Sequence, residues 1–152
     1  MQERLDIQIY SHEGKILMLG TSYTLQYQVI SEFPYEEVPH DAPADVIGEA
    51  LMAAAVRCRG IVDEPPTQAE DKAHRLGFKS WSQLQKKTHQ ISVSRRKSEP
   101  YFSILPTRWG NKSGSQILFT GEELTAPIGD TAAIGLQILE ALRLTAENRL
   151  SG

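Results

Sequence analysis

Residues 41–59 read DAPADVIGEALMAAAVRCR, and this stretch decides the fold. Ile47, Leu51, Ala54 and Cys58 recur at helical spacing with Ala50 beside them, which makes one apolar stripe. Pro43 suits the first helical position and Asp45 the first turn, where a carboxylate favours the helix dipole. Gly60 is placed to end the helix. The stretch has an echo. Ile47-Gly48 returns as Ile134-Gly135, and Leu51 and Ala54 return as Ile138 and Ala141, all at the same offset. Each helix follows a run of short strand-like segments. The chain therefore reads as two unequal copies of a strands-then-helix unit.

Working outward, RLDIQIY at 4–10 alternates apolar and polar residues as a half-buried strand does. KILMLG at 15–20 and SYTLQYQVIS at 22–31 supply a second and a third strand, and Tyr35–Val38 a short edge piece between Pro34 and Pro39. After the helix, residues 61–67 form a proline-containing acidic loop. TQAEDKAHRLG at 67–77 predicts a helix capped by Thr67, with Glu70 in capping-box position and Gly77 as its stop. SWSQLQKK at 80–87 predicts another, with Trp81 and Leu84 on one face. Neither has a counterpart in the first half, so 61–87 reads as an insertion.

Strands resume at 88–95, 101–106 and 115–120, with an extended piece at 122–127. A polar turn, Arg95–Glu99, and a glycine loop, Gly110–Gly114, separate them. Asp130 caps a final helix whose Ile134, Ile138, Ala141 and Leu142 face inward. The expected fold is α+β: antiparallel sheets and two long helices in a pseudo-duplicated ββββα-ββββα order, with a short helical insertion between halves at roughly 1–60 and 88–148. The whole chain of 152 residues suits one domain.

Composition excludes several classes. The charged fraction of 23% and hydrophobic fraction of 40% are those of a folded globular chain. No apolar run approaches a membrane span, and the charged N-terminus lacks a signal peptide's apolar region. One cysteine, Cys58, excludes an internal disulfide and reads as a core thiol. These features point to the cytoplasm. Histidines at 12, 40, 74 and 89 show no paired ligand spacing, so neither a metal nor another cofactor is expected. No GxSxG, GxGxxG or HExxH occurs, and no acid–base couple emerges, so the chain reads as a non-enzyme.

Charge is unevenly distributed although the formal net value is only −3. Residues 30–71 hold ten acids against Arg57 and Arg59, and residues 72–112 hold ten bases against Glu99. The acids Glu32, Glu36, Glu37, Asp41, Asp63 and Glu64 are candidate contacts for a basic partner. The stretch 95–112 interleaves Arg95, Arg96, Lys97, Arg108 and Lys112 with Tyr101, Phe102 and Trp109. Arg108 and Trp109 are candidate basic and aromatic anchors. Such a mixture on a sheet also suits single-stranded nucleic acid, although the acidic chain as a whole and the lack of an RNA-binding signature argue against that partner.

Four pieces taken together resemble the immunity proteins of contact-dependent growth inhibition systems, the CdiI family. They are DVIGEALMAAAVRCR, GFKSWSQLQKK, YFSILPTRWGNKSG and IGLQILEALRLT. The closing helix departs mildly from the family pattern, with Thr145 where a serine-containing turn is usual. The resemblance implies a non-enzymatic cytoplasmic inhibitor. Its partner would be the C-terminal toxin domain of a CdiA-type effector, commonly a basic nuclease and often one that acts on tRNA. Neutralisation would come from covering the toxin's active site or its nucleic-acid-binding face. The paired strand–helix halves also look like the layout of Whirly-type nucleic-acid-binding proteins. The family's interfaces vary with the toxin, so it supplies no site residues.

Overall fold

A computed structural model describes residues 4–96, 98–110 and 117–151. The elements are β1 (Arg4–His12), β2 (Lys15–Tyr23), β3 (Val29–Pro39), α1 (Ala44–Val56), α2 (Ala69–Arg75), α3 (Trp81–Lys87), β4 (His89–Arg96), β5 (Tyr101–Trp109), β6 (Ile117–Phe119), β7 (Leu124–Pro127) and α4 (Thr131–Ser151). The fold is α+β. The strands form one seven-stranded antiparallel sheet in the order β3-β2-β1-β4-β5-β6, with β7 also on β5. β7 pairs with Tyr101–Ile104 and β6 with Thr107–Trp109, so the two short strands share one edge of β5. The centre is the long β1–β4 pair, running from Arg4↔Arg96 to Ser11↔His89.

Alternation along the strands sends one set of side chains to each face. Ile7, Ile9, Ile16, Met18, Ile91, Val93, Phe102 and Ile104 are buried on the face that α1 and α4 cover. The helices contribute Ile47, Leu51, Ala54, Ile134, Ile138, Ala141 and Leu142, the stripe read from the sequence. Full burial of each large side chain stabilises by about 1.5–3 kcal/mol. The repeated Ile-Gly pairs have a reciprocal use. A Cβ on Gly48 would lie 2.0 Å from the Thr131 carbonyl oxygen, and one on Gly135 would lie 1.8 Å from that of Ala44. Each glycine therefore admits the first turn of the other helix. Asp130 caps α4 as expected, accepting from the Ala133 amide at 3.0 Å.

On the opposite face α2 and α3 form a second, smaller layer. Ala73, Leu76, Phe78 and Leu84 pack with Tyr10, Leu17 and Leu19, and Phe33, Tyr35 and Trp81 border the cluster. These strand residues all belong to β1, β2 and β3.

Three expectations change. First, the third strand does not run from residue 22: it begins at Val29, and only Val29–Ser31 of the expected 22–31 belong to it. Tyr23 ends β2, and Thr24 turns the chain: its hydroxyl accepts from the amides of Gln26 and Gln28 at 3.2 and 3.0 Å. Tyr27 lies in the left-handed region at φ 62°. The alternation of aromatic and polar residues there belongs to a turn. Second, the edge piece Tyr35–Val38 is the end of β3, so the first half is βββα and the symmetric four-strand count fails; the strands also share one sheet rather than several. Third, Thr67 and Glu70 do not form a capping box. Thr67 Oγ1 accepts from the Ser31 amide at 2.9 Å, and Glu70 Oε2 from the Trp81 amide at 3.2 Å. Both tie the insertion to its surroundings. Residues 111–114 of the predicted glycine loop lie outside the described residues, as does Lys97. Among the described residues no helix is long and apolar enough to cross a membrane.

Candidate functional site

The structure divides the six candidate acids between internal pairing and exposure. Glu32, on β3, is buried against the end of α1. It accepts from Ser22 Oγ at 2.6 Å and from Arg59 Nη2 at 3.1 Å, and Arg59 Nε also donates to it. Arg59 turns its other side to Glu64, with both Nη–Oε contacts at 2.7 Å. That bond holds the Glu64 carboxyl below its ordinary range. Arg57 pairs with Glu36 at 2.6 Å. Thus the only two bases of the acidic segment are spent on three of its candidate acids. Glu37 lies on the other face of β3, 3.9 Å from Lys15 Nζ, while Asp41 and Asp63 are exposed in the turns before and after α1. The six do not converge on one patch.

Arg108 and Trp109 are neighbours on β5 and point to opposite faces. Arg108 is exposed, and Trp109 is half-buried on the side of Thr107. Phe102, another of the predicted aromatics, is buried under α4. Lys112 lies outside the described residues. Cys58 is half-buried against the core with its Sγ 3.5 Å from the Asp6 carbonyl, and burial pushes its thiol up, away from a reactive thiolate.

The second face of the sheet carries the more developed site. Where α2 and α3 stop, it forms a groove of about 650 Å³. Asp6, Gln8, Thr21 and Ser92 make the floor, Arg4 and Tyr23 one wall, and Tyr27, Val29, Ile61 and Phe119 the rim. The floor is already bonded. Asp6 accepts from Tyr23 Oη at 2.5 Å and from Arg4 Nε at 3.0 Å. Burial, and after it the bond to Asp6, pushes the Tyr23 phenol up. Gln8 Oε1 accepts from Tyr10 Oη at 2.9 Å and from Lys72 Nζ at 2.7 Å. Lys72 is 6% exposed beneath α2, with its ammonium 4.8 Å from the Trp81 ring centre. Burial lowers its pKa to about 8.

The rim is apolar. Of the seven large apolar side chains exposed among the described residues, Tyr27, Val29 and Phe119 line this groove, and Leu25 shares the turn of Tyr27. Tyr27 is 71% exposed and Phe119 55%. Sequence reasoning did not single out this region. Its one signal was the polar side of RLDIQIY, Asp6 and Gln8 opposite Ile7 and Ile9.

With this geometry in view, comparisons with known proteins add the following. No family model and no curated protein matches the chain. Solved structures do match. A protein of unknown function from Neisseria meningitidis superposes with a TM-score of 0.71 at 16% identity, covering 95% of this chain and 97% of that one. A chain of a CdiA-CT/CdiI toxin and immunity complex from Yersinia pseudotuberculosis superposes with a TM-score of 0.67 at 13% identity, covering 96% and 97%. At these identities the likeness is one of fold.

Proposed function

We propose that this chain is a cytoplasmic immunity protein. It binds and neutralises the toxin domain at the C-terminus of a CdiA-type effector, without catalysis of its own. The observation that carries the reading is the end-to-end correspondence of fold with a chain of a toxin and immunity complex. The four sequence pieces that resemble the CdiI family support it independently. In this reading the toxin is a nuclease, of a class that often acts on tRNA, and the chain covers its active site or its substrate-binding face. The two halves, βββα and ββββα with α1 and α4 meeting at Gly48 and Gly135, are in this reading unequal copies of one unit in a Whirly-like layout. The test is co-expression with the C-terminal domain of the effector encoded directly upstream, with a tag on one partner only. A stoichiometric complex and rescue of cells from that domain support the reading; neither complex nor rescue defeats it.

A second reading, single-stranded nucleic-acid binding, draws on Arg96, Tyr101 and Trp109 along the open face of β4 and β5. A salt-sensitive mobility shift of a labelled oligonucleotide by the isolated protein tests it.

A further inference from the structure

We propose that the groove bounded by Tyr27, Val29, Phe119 and Arg4 is the surface that receives the toxin domain, and that its occupant is an acidic loop tipped with an apolar residue. This rests on the immunity reading and gives that reading a location.

The apolar rim is the first reason. Large apolar side chains standing in solvent gather here around a concavity, and the groove's volume of about 650 Å³ fits the tip of a loop rather than a whole face. The second is rigidity. The 24–28 turn is tied by Thr24: its hydroxyl accepts two amides, its carbonyl accepts from the Tyr27 amide at 3.0 Å, and its own amide donates to the Gln28 carbonyl at 2.9 Å. Tyr27 is thereby fixed at φ 62°, a conformation a non-glycine residue adopts at a cost, with its ring presented outward. A tyrosine ordered before binding loses little entropy on contact. Tyrosine is also enriched among the residues that dominate interface energy.

Charge selects the partner. Arg4 and Arg96 face each other directly across the β1–β4 pair, on the same side of the sheet as Asp6 and Ser94. Like charges in that position repel, and Asp6 answers only one of them. Arg96 is exposed and has no ion pair among the described residues. At its Arg4 end the groove thus borders an exposed cation, Arg96, beside apolar walls, and a carboxylate on an incoming loop would pair with it. The exposed acid Asp41 lies elsewhere, in the turn before α1, whereas Asp63 follows the rim residue Ile61 on the segment that bonds Tyr23 and Val29.

The test measures the affinity of the upstream-encoded toxin domain for four full-length proteins: the wild type, Tyr27→Gly, Arg96→Glu, and the pair Glu37→Lys with Asp41→Lys. Glycine is at ease at the φ of Tyr27, so that variant removes the ring without endangering the fold, and a thermal melt verifies this. Tyr27→Gly is expected to weaken binding by roughly 30-fold or more, the effect of losing a dominant interface residue. Arg96→Glu is expected to slow association and flatten its salt dependence, with affinity down roughly tenfold. The double acid reversal should stay within about threefold of wild type. If the two groove variants bind like wild type, or if only the acid reversal weakens binding, the groove assignment falls while the immunity reading stands. If the wild type binds no toxin, both fall. If the isolated protein binds single-stranded RNA and the groove variants abolish that, the acidic-loop occupant is overturned in favour of nucleic acid.

Discussion

Replacing Lys72 by methionine isolates the energetic effect of burying one charge beneath α2. The lysine is 6% exposed, its ammonium donates to the neutral Gln8, and it lies over Trp81 and Tyr10. Burial takes its pKa from 10.5 to about 8. At about 1.36 kcal/mol per pH unit, that gap sets the cost of keeping the side chain charged in the fold at about 3 kcal/mol. The sign follows from proton counts. Below pH 8 both folded and unfolded chains carry the charge, and the cost is fully present. Between about 8 and 10.5 the unfolded chain binds more protons than the folded one, so this group makes stability rise with pH. Tyr10 and Tyr23 act in the opposite sense: burial raises both phenols, so ionisation of the unfolded chain near pH 10 favours unfolding. Both tyrosines are present in wild type and variant, and the comparison largely cancels them. The assay is urea unfolding of wild type and Lys72→Met at pH 7 and pH 10. Methionine keeps the length and apolar character of the lysine stem, and its packing consequences do not depend on pH. The variant's stability relative to wild type should therefore be about 2 kcal/mol more favourable at pH 7 than at pH 10. An unchanged difference between the two pH values would refute the argument, because folded and unfolded chains would then titrate this lysine alike.

Gly135→Ala and Gly48→Ala each drive a methyl into a carbonyl of the other helix, so each should cost about 3 kcal/mol in urea unfolding, at the upper end of ordinary overpacking. Alanine at the solvent-facing Gly129, which has open space around its Cβ position, is the matched control. Tyr27→Gly should stabilise by about 1 kcal/mol by relieving the left-handed conformation, whereas Tyr27→Ala, which keeps a Cβ, should not; thermal melts distinguish them. Thr24→Val removes the acceptor for the Gln26 and Gln28 amides and should cost about 1–2 kcal/mol. It should also loosen the turn, which hydrogen exchange at those two amides reads directly.

What the sequence disclosed and what it hid have separate physical causes. The stripes of α1 and α4 were legible because helical period and burial coincide in them, and because their glycines recur at matching places. The turn at 24–28 was not. Its left-handed residue is a tyrosine rather than the usual glycine, and the interaction that holds it is a threonine hydroxyl, a residue that reads equally well as strand. The capping box misled because Thr67 and Glu70 serve partners 36 and 11 residues away. The acidic segment misled in part for a related reason: composition counts carboxylates, while only the fold says that Arg57 and Arg59 hold Glu36, Glu32 and Glu64. The groove was hidden most deeply. Asp6 and Gln8 were visible as the polar side of β1, and a polar side ordinarily means a solvated sheet face. What makes it a groove is that the insertion packs on Tyr10, Leu17 and Leu19 and stops there. The outer ends of β1 and β2, with β4 and β6, are left as an open floor beside a raised edge. The part of the chain with no counterpart in the other half is thus the part that breaks the sheet's equivalence and makes a recognition surface on one side of it.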